Sequence, residues 1–208
     1  MWLSFYNPRG VGDVLMLTSA DLPRELIETE TLSDVTRIYN KENKETIGYN
    51  INNISTYMEI KGTGHVLLED AQIEQINQLF YEQGFETIKI SNEPRIVVGK
   101  VVECVDHENS DHLHVTQTQV GPADVQQIVC GASNIDQGQT VVVALSGAVM
   151  PNGQIIWPGE LRGVKSNGMI CSAYELGLDP DHERQGILVL DDELTPGTPF
   201  ESIKEQLD

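Results

Sequence analysis

Positive charge is what this chain has least of. Only 13 lysines and arginines stand against 32 aspartates and glutamates in 208 residues, for a formal net charge of −19. Residues 1–94 carry 7 basic and 15 acidic side chains and residues 95–208 carry 6 and 17, so both halves repel a polyanion at long range. By charge alone, nucleic acid is a poor partner. Long apolar runs are also missing, and the opening Met1-Trp2-Leu3-Ser4-Phe5-Tyr6 has neither the basic start nor the apolar core of an export signal. The expectation is a soluble, cytoplasmic protein with no membrane partner. The three cysteines, Cys104, Cys130 and Cys171, are an odd number in apolar settings, which excludes a disulfide framework and suits small buried hydrophobes. No Gly-x-Ser-x-Gly, no phosphate-binding Gly-x-x-x-x-Gly-Lys and no isolated carboxylate pair occurs. Neither an enzyme nor a cofactor is therefore expected. Aromatics are scarce too: residues 95–208 hold only Trp157, Tyr174 and Phe200, too few for the row of stacking side chains by which most single-strand binders hold bases.

What is present is strand and turn. A hydrophobic content of 39% supports ordinary cores, and a change of pattern near Ser91-Asn92-Glu93-Pro94 divides the chain. We expect a small α+β domain over 1–92 and an all-β barrel over 95–208. In the first half, strands are expected at residues 1–6 and 14–17, a hairpin at 35–40 and 46–51, and a further strand at 55–60. Residues 21–32 do not decide between helix and loop. Ile73, Ile76, Leu79 and Phe80 fall at helical spacing, with Asp70 as a start signal and Gly84 as a left-handed stop. In the second half, strands are expected at 96–105, 114–120, 126–130, 140–145 and 168–172, with a turn at Pro151-Asn152-Gly153 and a further strand at 186–190.

Within that second half, Val97-Val98-Gly99-Lys100-Val101-Val102, Ile128-Val129-Cys130-Gly131-Ala132-Ser133-Asn134-Ile135, Val141-Val142-Val143-Ala144-Leu145, Leu161 through Ser172 and Glu175-Leu176-Gly177-Leu178 follow one another in order. The series resembles the tRNA-binding domain found in stand-alone tRNA-binding proteins, in the bacterial phenylalanyl-tRNA synthetase β chain and in methionyl-tRNA synthetase extensions. In the first half, Asn7-Pro8-Arg9-Gly10-Val11-Gly12-Asp13-Val14, Thr36-Arg37-Ile38-Tyr39-Asn40 and Ile47-Gly48-Tyr49-Asn50-Ile51 resemble the leading domain of bacterial YtpR-type tRNA-binding proteins. The resemblance implies an OB-fold barrel and a non-catalytic protein with tRNA as partner, recognised through backbone and shape at a corner of the barrel. Some family members pair, so a homodimer is open.

Carried over by position, the RNA contacts it implies are Asn134, Arg162, Lys165, Ser166, Met169 and Ser172. Arg162 and Lys165 would meet phosphate oxygens, Asn134 and the serines would hydrogen-bond phosphate or 2′-hydroxyl groups, and Met169 would pack on a base or sugar. Each has a blander role beside it: Asn134 holding its own turn, Met169 filling core, Gly163 and Gly168 serving conformation only. The loop His107-Glu108-Asn109-Ser110-Asp111-His112-Leu113-His114 departs from the family pattern. Glu108 replaces a proline and His112 a lysine, so a fixed positive charge is lost. His107, Asp111, His112 and His114 raise the question of a metal, but no Cys-x-x-Cys or His-Glu-x-x-His spacing supports one. A second reading follows from the acidic surface and the altered loop: an adaptor for a basic protein partner that keeps an OB scaffold and has little RNA affinity.

Overall fold

The computed structural model describes residues 1–207, which are mostly β-structure with one α-helix. The chain parts into two compact units, Met1–Glu93 and a second beginning at Pro94.

In the first unit, β1 (Leu3–Tyr6), β2 (Val14–Thr18), β3 (Ile27–Leu32), β4 (Val35–Asn40), β5 (Thr46–Asn52) and β6 (Gly64–His65) form one sheet in the order β3-β4-β5-β2-β1-β6. All neighbours are antiparallel. The helix α1 (Asp70–Glu82) covers one face. Its Ile76 and Phe80 join Leu15, Leu17, Tyr49 and Ile51 from the strands in one buried cluster, and the Tyr49 and Phe80 rings stack at 4.1 Å between centroids. The 3.6-residue period in the helix and the two-residue period in β5 thus meet face to face.

Three local expectations change here. Residues 27–32, left between helix and loop, form an edge strand: Glu28, Thr29, Glu30 and Thr31 pair with β4 and are exposed. Residues 55–60 are not a strand. The Asp13 carboxylate accepts both the Ser55 N–H and its hydroxyl, the latter at 2.6 Å, and Asn53 is left-handed, so Ile54–Thr56 close into a 3-10 turn. The cap of α1 is Glu69 rather than Asp70, in a reciprocal capping box with Gln72. Gly84 does stop the helix, at φ 76°.

The second unit contains β7 (Ile96–Asp106), β8 (His114–Gln119), β9 (Val125–Cys130), β10 (Thr140–Leu145), β11 (Gly159–Leu161), β12 (Val164–Ser166), β13 (Gly168–Ile170) and β14 (Val189–Leu190). Five strands run β13-β10-β7-β8-β9, with β14 beside β13 on the same edge of β10 and β11-β12 a separate hairpin. The strand expected at 186–190 is thus reduced to Val189–Leu190. β7 is long enough to serve two layers because it carries a bulge between Val101 and Glu103. It also has Gly99 where a Cβ would lie 2.6 Å from Val143 and 2.9 Å from Thr118. Val98, Val142 and Ala144 line one buried cluster and Val101, Ile128, Val141 and Val143 the other.

The expected barrel does not close through a β-ladder among the described residues. β13 is only three residues long, and the gap to β9 is bridged instead by polar groups. Asn167 donates its N–H to the Gln127 carbonyl at 2.9 Å. The Ser166 hydroxyl accepts from the Val129 N–H at 3.0 Å and donates to the Gly168 carbonyl at 3.1 Å.

Candidate nucleic-acid interface

The hairpin β11-β12 turns at Arg162 and Gly163, whose φ values are 47° and 89°. Positive φ at both central residues is what a two-residue hairpin matching strand twist requires. The turn is fastened to the loop after β7. Arg162 Nη1 donates to the Asn109 carbonyl at 3.0 Å, and His107 Nε2 lies 3.1 Å from the Leu161 carbonyl. His107 is 2% exposed, and its Nδ1 accepts the Asn109 N–H at 3.0 Å. That acceptor role places the ring proton on Nε2, pointing to Leu161. The loop is therefore a buttress for the cationic hairpin. Arg162 and Lys165 are both exposed, and neither makes an ion pair among the described residues.

Next to the hairpin lies a sheet face poor in fixed charge, on which Glu103 of β7 stands opposite Gln117. Thr116 and Thr118 are buried at 0% exposure with Ile128 on the inner side, so by alternation Val115, Gln117 and Gln119 stand on the other. Gln117 bonds Gln127 across β8 and β9 at 3.2 Å, and Gln127 Nε2 reaches the Lys165 carbonyl at 2.8 Å. From Leu113 to Tyr174 the only charged residues are Asp124, Asp136, Glu160, Arg162 and Lys165. The acids of this unit cluster elsewhere, before Leu113 and after Tyr174. This local gap in the acidity was readable from sequence but is hidden by the totals.

Ser166 is 4% exposed, and its hydroxyl is committed to the β9–β13 bridge. It fixes the corner rather than presenting itself at a surface. Asn134 is similarly engaged: its side-chain amide donates to the Ile187 carbonyl at 3.0 Å and accepts the Ile187 N–H at 2.9 Å. It staples the segment after the polar loop 179–185, not its own turn. Met169 is partly buried and packs on the core. It also lines, with Ser172, a cleft of about 280 Å³. The sequence had not brought Glu175 and His182 to this cleft. Glu175 Oε2 accepts the Ser172 N–H at 2.7 Å and hydroxyl at 2.8 Å, and Ser172 Oγ accepts the Glu175 N–H at 3.2 Å. This reciprocal Ser-x-x-Glu pattern is legible in the sequence. Tyr174, 49% exposed, stacks on His182 at 4.5 Å, whereas Phe200 is buried at 2%.

The loop histidines do not converge. His112 Nδ1 contacts Asp111 at 2.8 Å, and that hydrogen bond holds the Asp111 carboxyl below the usual carboxylate range. His114 faces Asp106 at 3.5 Å. No group of three His, Cys, Asp or Glu side chains is placed to hold a metal among the described residues. Burial pushes the Cys171 thiol up to about 12 and raises Cys130 and Cys104 as well. No helix among the described residues is long and apolar enough to cross a membrane.

The second unit thus sets a glutamine-bearing sheet face beside a buttressed, exposed cationic hairpin. Residues 96–199 match the family described as "Putative tRNA binding domain", and residues 23–89 match a domain of unknown function, DUF4479. The chain is 45% identical over 199 residues to the "Putative tRNA-binding protein YtpR" of Bacillus subtilis, covering 95% of this chain and 98% of that one. It belongs to that family. It is also 42% identical over 130 residues to a phenylalanine–tRNA ligase β subunit of Campylobacter jejuni, a match covering 61% of this chain and 16% of the subunit. The corresponding subunit of Lactiplantibacillus plantarum is 45% identical over 109 residues, covering 50% of this chain and 14% of the subunit.

Proposed function

We propose that this chain is a non-catalytic tRNA-binding protein whose second unit, on an OB-type scaffold, holds folded RNA by its backbone. The family membership supports the ligand. The observation that carries the reading is the pairing of two exposed cations without an ion pair, Arg162 and Lys165, with the neighbouring amides of Gln117 and Gln127 in a chain of net charge −19. Most acids of the unit lie outside this stretch, so at close range a phosphate meets few of them, chiefly Glu160 opposite Lys165 and Glu103 opposite Gln117, and screening limits the rest to about 8 Å at physiological salt. Arg162 and Lys165 neutralise phosphates, and Met169 and Ser172 meet sugar or base at the neighbouring cleft. Asn134 and Ser166 keep the corner in shape. With one exposed aromatic in this unit, Tyr174, recognition rests on the shape of a folded RNA rather than on a row of stacked bases.

Fluorescence anisotropy with bulk tRNA and an unstructured single-stranded RNA tests the reading. Preferential binding of tRNA is expected; equal affinity for both would overturn it. A second reading, an adaptor for a protein partner, is favoured by Val102, Val105 and Val125 on β7 and β9, which are 42%, 48% and 49% exposed. It gains if no tRNA binds even at low salt.

A further inference from the structure

The cleft beside Ser172 has the makings of a reader of one base. Its walls are thin where a ligand would lie: Gly131 and Gly186 contribute no side chain, and at Gly186 an added Cβ would collide with the Asn134 amide. Met169 and Ile187 supply apolar surface. Its volume of about 280 Å³ sits near the lower limit of ~300 Å³ for small-ligand sites, which suits a single nucleoside rather than an extended strand. His182 lines the cleft, and its ring is nearly parallel, 16° apart, to that of half-exposed Tyr174 outside the lining, so a base in the cleft can extend the stack.

Glu175 gives the cleft its chemistry. Two donors from Ser172 fix its Oε2, while its Oε1 takes no hydrogen bond among the described residues. A carboxylate held by one oxygen presents the other as a pure acceptor. We propose that this cleft receives one unstacked base carrying an exocyclic amino group, with the amino N–H donated to Glu175 Oε1. Cytosine, adenine and guanine each offer such a group. Uracil offers only N3–H between two carbonyl oxygens, which the carboxylate repels. The assignment rests on the RNA-binding reading but concerns a different surface from the Arg162 hairpin.

The test uses the intact chain and free mononucleotides. Cytidine and uridine 5′-monophosphate are titrated separately while the ring resonances of Tyr174 and His182 are followed by NMR. The expected result is a cytidine preference of roughly fivefold or more, with shifts at those rings. In Glu175→Gln, the amide oxygen keeps both Ser172 donors and the amide NH₂ replaces Oε1, so the preference should move toward uridine. Tyr174→Leu should weaken both nucleotides alike. Equal shifts for the two nucleotides in the native chain, or shifts confined to the hairpin, would overturn the assignment. If tRNA binds and depends on Arg162 and Lys165 while cytidine monophosphate leaves the rings unmoved, the cleft proposal falls alone. If the nucleotide preference appears without tRNA binding, the broader reading falls and the cleft stands.

Discussion

Both units carry cations on a β-hairpin, yet they engage them differently. In the first unit, Arg37 and Lys44 on and beside β4 meet Glu30 at 3.8 Å and Glu28 at 3.1 Å from the neighbouring strand, and both lie over the Tyr39 ring. In the second, Arg162 and Lys165 have no ion pair among the described residues: Glu160 stands opposite Lys165 without forming one, and β8 and β9 offer mostly glutamine and threonine. Cations on two hairpins therefore present different surfaces to an anion. Net charge sets the long-range field, whereas local pairing decides whether a phosphate finds an unspent cation.

Several changes break or sharpen that contrast. The largest separates the units by stability. Phe80→Ala removes a fully buried ring from the first core and should cost about 3–5 kcal/mol there, read by chemical denaturation. The tRNA affinity of the surviving folded fraction should stay within roughly twofold. Ser166→Ala strips the buried Val129 N–H of its acceptor and should cost about 1–3 kcal/mol in the second unit, with weaker tRNA binding because the corner loosens. Gln127→Glu adds a further acid near Lys165, which already faces Glu160 across the hairpin, and replaces the amide that donates to the Lys165 carbonyl. Affinity should fall a few-fold at low salt, and salt should erase part of the difference. Glu28→Gln with Glu30→Gln frees the cations of the first unit and should leave tRNA affinity nearly unchanged.

The smallest effect is chemical. All three cysteines lie in the second unit, and iodoacetamide at mildly alkaline pH should reach half-buried Cys104 before buried Cys130 and Cys171. Cys171 is neutral in the fold up to about 12. Its contribution to stability is intact below the ordinary thiol range near ~8.5 and is lost as pH climbs through that range toward 12.

Periodicity made much of the fold legible. Ile47, Tyr49 and Ile51 alternate onto the core, and Ile76 and Phe80 face them from the helix. What it missed depended on side chains reaching backbone. Asp13 captured Ser55 and turned an expected strand into a 3-10 turn, and Glu69 took the cap from its neighbour Asp70. Barrel closure failed for a similar reason: Ser166 and Asn167 supply single bonds where a ladder was expected. At the candidate site, the Arg162-Gly163 turn was visible as a cation beside a glycine. The inward turn of His107, the Ile187 staple of Asn134 and the arrival of His182 at the cleft were not, because each joins residues more than 50 positions apart or follows from a loop's return.

The central claim is that two cations on one hairpin hold the RNA backbone. It is met most directly by measuring tRNA affinity against salt for the native chain and for Arg162→Glu combined with Lys165→Glu. With two phosphates neutralised per subunit, the slope of log affinity on log salt should be roughly −1.4 to −1.8, from ~0.7–0.9 per phosphate. The double change should abolish most of that slope and lower affinity on the order of a hundredfold, in a protein whose unfolding curve is unaltered. A native slope several times steeper, or a double variant that binds as tightly as the native chain, would contradict the account.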